Sequence, residues 1–200
     1  MVLKYGRFLT QTKIDGKWIN GLDNGIVFVE MPIENPQKFL KVVRISEYQQ
    51  LFFGFCEHMQ NLVLEQEKKT GRRSHVICIF DLKGSPVVPY LNPVGAVNKL
   101  MMSRVYLWLD YYSELLKRVL IVNSSTSLLP AVISLLLPSK MLDRFTIARN
   151  LPDDLLPFLS VECIPVAYGG TYVVANDAAL ANTCIPAEPI TPLDYQVLAA

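Results

Sequence analysis

Of the side chains able to carry chemistry, Asp81, Glu114 and Arg144 stand in the most informative surroundings. Asp81 closes the apolar run Val76-Ile77-Cys78-Ile79-Phe80 and precedes Gly84. An aspartate at the end of a buried strand holds Mg²⁺ in many nucleotide enzymes; it also caps tight turns through its own backbone. No Gly-rich phosphate loop accompanies it, and GxGxxG, GxSxG and HExxH are absent from the sequence. The turn-capping role is therefore expected, and with it a protein that is not an enzyme. Glu114 stands where a helix should give way to a strand; pairing with Lys117 or Arg118 would make it a solvated helix-end carboxylate. Arg144, ahead of the apolar run Phe145–Ala148, would on the same reasoning be a surface cation. The cysteines Cys56, Cys78, Cys163 and Cys184 form no CxxC pair, and only His58 and His75 add imidazole. No metal site is expected from that set. Thiols within apolar segments are ordinary buried cysteines, which fits a reducing cytoplasm.

The composition bounds what such residues serve. The chain has 200 residues and 22.6 kDa, with 51% apolar and 18% charged residues and a mean hydropathy of +0.27. That is one ordinary domain's worth of chain with ample material for a core. It excludes disorder, a collagen-like chain and a nucleic-acid-binding tail. Nineteen Lys and Arg against eighteen Asp and Glu leave a net charge of +1. Nucleic acid bound mainly by counterion release is excluded by so small an excess. The high apolar content implies surface hidden in a membrane or a partner, or an inner apolar surface to line. The N-terminal stretch MVLKYGRFLTQTK has no apolar core of a secretory signal. The uncharged segment Val119–Ser139 has the length of a membrane span. Its polar run Asn123–Ser127 instead predicts a strand at Leu120–Val122, a polar turn and an apolar helix near Leu128–Leu137.

The elements that must position these residues are legible in the periodicity. Ile26–Val29 reads as a strand after the turn-rich Asn20–Gly25. Ser46 and Gln49 form a capping box, and Gly71 gives the stop of a long helix. Between them Tyr48, Phe52, Phe55, Cys56, Met59 and Val63 recur at helical spacing. Val76–Phe80 reads as a strand buried on both faces. A second helix opens at Asn92-Pro93 and carries Val97, Leu100, Met101, Val105 and Trp108 inward. A short helix is expected around Asp153–Leu159, and a turn at Ala167–Gly170. Alternating strands and helices predict an α/β domain with parallel strands and right-handed crossovers.

Four segments occur in a recognisable order: Phe80-Asp81-Leu82-Lys83-Gly84, Tyr111-Tyr112-Ser113-Glu114-Leu115-Leu116-Lys117-Arg118, Leu120-Ile121-Val122-Asn123 and Ile164-Pro165-Val166-Ala167-Tyr168-Gly169-Gly170. From about Gly21 to Thr171 the chain resembles the CRAL-TRIO lipid-binding domain of phosphatidylinositol/phosphatidylcholine-transfer proteins and their retinaldehyde- and tocopherol-binding relatives. The resemblance implies an α/β bowl, a mostly parallel sheet floor under helices that enclose an apolar pocket. It implies a bound phospholipid, isoprenoid or other hydrophobic small molecule as ligand and no further cofactor. It divides the chain into residues 1–20 as a remnant of an N-terminal helical region, 21–175 as the lipid-binding domain, and 176–200 as a tail or linker.

The resemblance also assigns roles. Glu114 matches a glutamate that meets inositol hydroxyls in phosphoinositide-binding members, and Arg144 stands near a lysine that meets phosphate there. The choline site is poorer, since Pro86, Val87 and Val88 stand where some members carry hydroxyls. The stretch Ser134–Leu142, with Leu135, Leu136, Leu137 and Met141, matches the mobile gate helix, whose apolar side would open at a membrane; packed inward, the same leucines would simply be core. Lys68, Lys69, Arg72 and Arg73 would meet an anionic membrane surface or serve as cations at a helix C-terminus in water, the role favoured by the helix dipole. The expected function is lipid binding and transfer at cytoplasmic membranes by a peripherally associated protein. The alternative is a scaffold module that docks to membranes or proteins without lipid exchange.

Overall fold

The computed structural model describes residues 6–9, 11–12, 14, 16–85, 88–90, 92, 94–125, 127–173, 184–185, 187–192 and 194. Pro86, Val87, Pro93 and most of 176–200 therefore lie outside the described residues. After a two-residue strand β1 (Gln11–Thr12), the apolar runs become β2 (Ile26–Glu30), β3 (Val76–Asp81), β4 (Leu116–Val122) and β5 (Phe145–Ile147). These four form one parallel sheet in the order β2-β3-β4-β5. Each crossover passes through helix: α1 (Pro36–Phe39) and the 26-residue α2 (Ile45–Thr70), then α3 (Ala96–Tyr111), then α4 (Leu129–Leu136).

The period of two along each strand splits the sheet's side chains between two cores. Ile26, Phe28, Val76, Cys78, Val119 and Ile121 pack with Cys56, Met59 and Val63 of α2, Trp108 of α3 and Leu129 of α4. Val27, Val29, Ile77, Ile79, Leu120 and Val122 pack on the other face under Trp18, Leu155, Leu159, Ile164 and Tyr168. Helices α2, α3 and α4 thus share one face of the sheet, while the segments before β2 and after β5 cover the other. This is the expected α/β bowl, and the central stretches of its strands are apolar because both faces of the sheet are covered there.

Local chemistry adjusts several boundaries. The N-cap of α2 lies two residues before the expected Ser46: it is Arg44, and Glu47 Oε2 accepts from the Arg44 N–H at 3.0 Å. Gly71 ends the helix as expected, at φ +66°, donating its N–H to Glu67 O at 2.8 Å. α3 begins at Ala96 with Gly95 as N-cap, after Asn92 has used its side chain on the Val94 N–H. Residues 151–158 are successive turns instead of the expected helix; Pro157 removes a donor that a helix would need. The uncharged segment divides as expected, into the end of β4, a polar turn and α4. Among the described residues no helix is long and apolar enough to cross a membrane. Cys56, Cys78 and Cys163 are buried, as expected of cysteines in apolar segments.

Described segments from the first and last twenty residues or so of the sequence meet. A last strand, β6 (Cys184–Ile185), pairs antiparallel with β1. Arg7 reaches Glu188 at 3.2 Å and Asp194 at 2.7 Å. Ile190 packs beside a third cluster of Phe8, Phe39, Val42, Val43, Tyr48 and Leu100.

Candidate functional site

Between the helical face of the sheet and α2, α3 and α4 the side chains do not fill the space. A cavity of about 190 Å³ remains. Its floor is Phe28, Cys78, Phe80, Val119 and Ile121; its walls are Phe52, Cys56 and Met59 of α2 and Met101, Val105 and Trp108 of α3. Leu129 and Ile133, one helical turn apart on α4, and Leu137 at its C-cap close it from that side. Native interiors are packed to crystal density, so a void lined almost wholly by carbon is a feature to be explained. Trp108 lines it while 6% exposed, and its Nε1–H has no partner among the described residues.

Two charged side chains interrupt that apolar wall. Glu30, the last residue of β2, forms an ion pair with Arg104 of α3, the two side chains being 15% and 21% exposed. The Arg104 guanidinium stacks over the Phe52 ring at 4.4 Å and donates to Tyr48 Oη at 3.5 Å. Burial pulls the Arg104 pKa down, and Glu30 and Tyr48 more than reverse this, holding it well above its ordinary value. Burial raises the Tyr48 hydroxyl and pushes Cys56 and Tyr90 up to about 12, so these groups stay neutral. Neither member of the pair was among the residues expected from the sequence. A signal was present, however, because Arg104 falls in the inward stripe of α3 between Met101 and Trp108, where a charge needs a partner.

Glu114 and Arg144 come together at the other end of the strands. Arg144 Nη2 lies 3.6 Å from Glu114 Oε1, with the two side chains 26% and 94% exposed. Arg144 also donates to the carbonyls of Ser113 and Leu116, the latter at 2.9 Å. Leu115, Leu116 and Phe145, their immediate neighbours in sequence, line the cavity; Glu114 and Arg144 do not. Of the residues expected to form a gate, Leu137 lines the cavity and Met141 is buried in the core at 3% exposure. The side chains of Leu135 and Leu136 lie outside the description. Lys68, Lys69, Arg72 and Arg73 are exposed at the C-terminal end of α2.

Asp81 holds structure. Its Oδ1 accepts from the Lys83 N–H at 2.8 Å and from Asn123 Nδ2 at 2.9 Å, and its Oδ2 from Tyr168 Oη at 2.8 Å. The turn-capping expectation is met, and three of the four segments singled out in the sequence converge on this one carboxylate.

A parallel sheet with helices on one face and an apolar cavity beneath them defines an α/β ligand-binding class of domain. The family description "CRAL/TRIO domain" matches residues 26–170, and the chain belongs to that family of lipophilic-ligand-binding domains. The CRAL-TRIO domain-containing protein C34C12.6 of Caenorhabditis elegans is 30% identical over 172 residues, covering 84% of this chain and 43% of that protein. The CRAL-TRIO domain-containing protein F28H7.8 of the same organism is 28% identical over 134 residues, covering 66% of this chain and 32% of that protein. The chain thus spans less than half the length of these curated relatives.

Proposed function

We propose that the chain binds one lipophilic ligand in the cavity between the sheet and α2, α3 and α4, and transfers or presents it at membrane surfaces of the cytoplasm. The observation that carries this reading is the cavity itself, a space walled by apolar side chains that the fold leaves open under a short apolar helix. Burying ligand hydrocarbon there supplies about 25 cal/mol per Å². Exchange requires the wall to open, and α4 is suited to it: an eight-residue helix whose Leu129 and Ile133 face inward. Exposed Leu128 at its start and the cations at the end of α2 offer contacts to a lipid surface. Native mass spectrometry of the protein purified from a eukaryotic host without added lipid tests this. A stoichiometric lipid adduct, exchangeable with vesicles, is expected; a protein that neither retains nor takes up any lipid is a docking module instead.

A second reading concerns an inositol headgroup held by Glu114 and Arg144, and it is favoured by their approach to 3.6 Å beside cavity-lining Leu115 and Leu116. Glu114 would accept from hydroxyls and Arg144 would meet phosphate. Glu114→Gln should then weaken retention of phosphatidylinositol and leave uptake of neutral ligands intact. Equal losses of both would retire this site.

A further inference from the structure

The Glu30–Arg104 pair is poorly explained as a stabilising device. A buried ion pair rarely outperforms well-packed apolar residues of the same volume, because desolvation consumes most of the attraction. Here the pair stands in the wall of an apolar cavity, where its exposed capacity is available to an occupant. The guanidinium is held on three sides, by Phe52, Tyr48 and Glu30, so its orientation is fixed before anything binds. An arginine has five N–H donors and a carboxylate about four acceptor positions. Arg104 Nη1 serves Glu30 Oε1 and Tyr48 Oη, and Glu30 Oε2 meets the Cys78 thiol at 3.9 Å. Donors and acceptors therefore remain side by side at one place in the cavity.

Building on the ligand-cavity reading, we propose that Glu30 and Arg104 determine specificity. The pair selects a neutral, hydroxyl-bearing amphiphile over the same chain ending in a carboxylate or phosphate. A hydroxyl donates to Glu30 and accepts from Arg104 in one position. An anionic head would meet the Glu30 charge and leave three charges of net negative sign in an apolar space, which desolvation forbids. Size points the same way. The cavity, at about 190 Å³, is below the roughly 300–1,000 Å³ of usual small-molecule sites. A single chain or compact ring system requires less displacement of α4 than two acyl chains. This polar end lies at the C-terminal ends of the strands. Register sets Glu30 level with Phe80 and Ile121, about 20 Å along the strands from the turn that carries Glu114.

The test is competition between dodecanol and dodecanoic acid, delivered from phosphatidylcholine vesicles near neutral pH and read by native mass spectrometry. The unaltered protein should take the alcohol over the acid by roughly tenfold or more. Glu30→Gln, which leaves the Arg104 charge unanswered, should reverse the preference. Should that variant fold poorly, the double variant Glu30→Gln/Arg104→Met removes both charges, and it should take both ligands within about twofold. An unaltered protein without preference, or a double variant that keeps the original preference, overturns the assignment while leaving the cavity reading intact. So does displacement of the alcohol by phosphatidylinositol, which would move the polar end to Glu114 and Arg144. Uptake of neither ligand, nor of any vesicle lipid, would overturn the cavity reading itself and this inference with it.

Discussion

The Tyr168 hydroxyl donates to Asp81 Oδ2 at 2.8 Å, joining residues 87 positions apart. Tyr168 is 1% exposed and so is Asp81, so the bond closes the C-terminal end of β3 against the segment that covers the sheet's second face. With Asn123 and the Lys83 N–H it completes the coordination of a buried carboxylate. Tyr168→Phe keeps the ring's packing and removes one charge-assisted bond, a loss of about 1.5–3 kcal/mol. Chemical denaturation should show that loss, with a fall in Tm of roughly 2–4 °C per kcal/mol for a domain of this size. An unchanged midpoint would mean that Asp81 is satisfied without the tyrosine.

The next residues of the same segment are fixed by space. A Cβ on Gly170 would lie 2.0 Å from the Ile164 carbonyl oxygen, a backbone atom that cannot swing away. Gly170→Ala should therefore cost about 3 kcal/mol or more. Gly54, where a Cβ meets nothing within 4 Å, is the matched control, and in mid-helix Gly54→Ala should stabilise by about 0.5–1 kcal/mol. Thermal melts of the two variants should move in opposite directions.

Much of this was legible in the sequence, for reasons that are local. Val76–Asp81 is a continuous apolar run because both its faces are covered, and the stop of α2 is written in Gly71, whose φ of +66° suits glycine. The start of α2 was misplaced because Arg44 supplies no side-chain acceptor to mark it; the Glu47 carboxylate does the capping alone. The Glu30–Arg104 pair was missed because its partners belong to different elements and meet only once the sheet is assembled. The β1–β6 pairing was illegible for another reason, since two-residue strands have no periodicity to detect. Helix α4, which overlaps the stretch expected as a gate, reads in composition like any core helix, and the void beneath Leu129 and Ile133 distinguishes it.

Acid should weaken the fold at a defined place. Asp23 Oδ2 meets His75 Nε2 at 2.9 Å and Lys117 Nζ at 3.1 Å. Burial raises the Asp23 pKa, but the hydrogen bonds and charges of His75 and Lys117 outweigh it and hold the carboxyl well below its ordinary 3.8. The unfolded chain therefore takes up this proton first, so stability from Asp23 is fully present above that ordinary value and drains as pH falls below it. Solvent reaches the carboxylate, and screening limits the contribution to about 1 kcal/mol. Asp23→Asn should lie below the unaltered protein by that amount at neutral pH, the gap closing as urea melts are taken below pH ~4. A gap independent of pH would mean that the asparagine loses only hydrogen bonding.

The cavity can be tested by filling it. Val105 lines it from α3, next in sequence to Arg104 but without a part in the ion pair. Val105→Trp places a large ring where the structure holds about 190 Å³ of space, so overpacking should cost less than the usual 1–3 kcal/mol or so, and Tm should be nearly unchanged. Ligand uptake should be lost, and with it the added stability that saturating ligand confers, about 2.7 kcal/mol at a hundredfold excess over Kd. Trp108 supplies an independent reading. In a Trp18→Phe background it is the sole indole of the sequence, and it lines the cavity, whereas Trp18 packs on the opposite face against Tyr172. A brominated acyl chain should quench Trp108 emission in that background. Quenching without a change in mass would place the lipid on the surface, and uptake undiminished by Val105→Trp would place the ligand outside this cavity altogether.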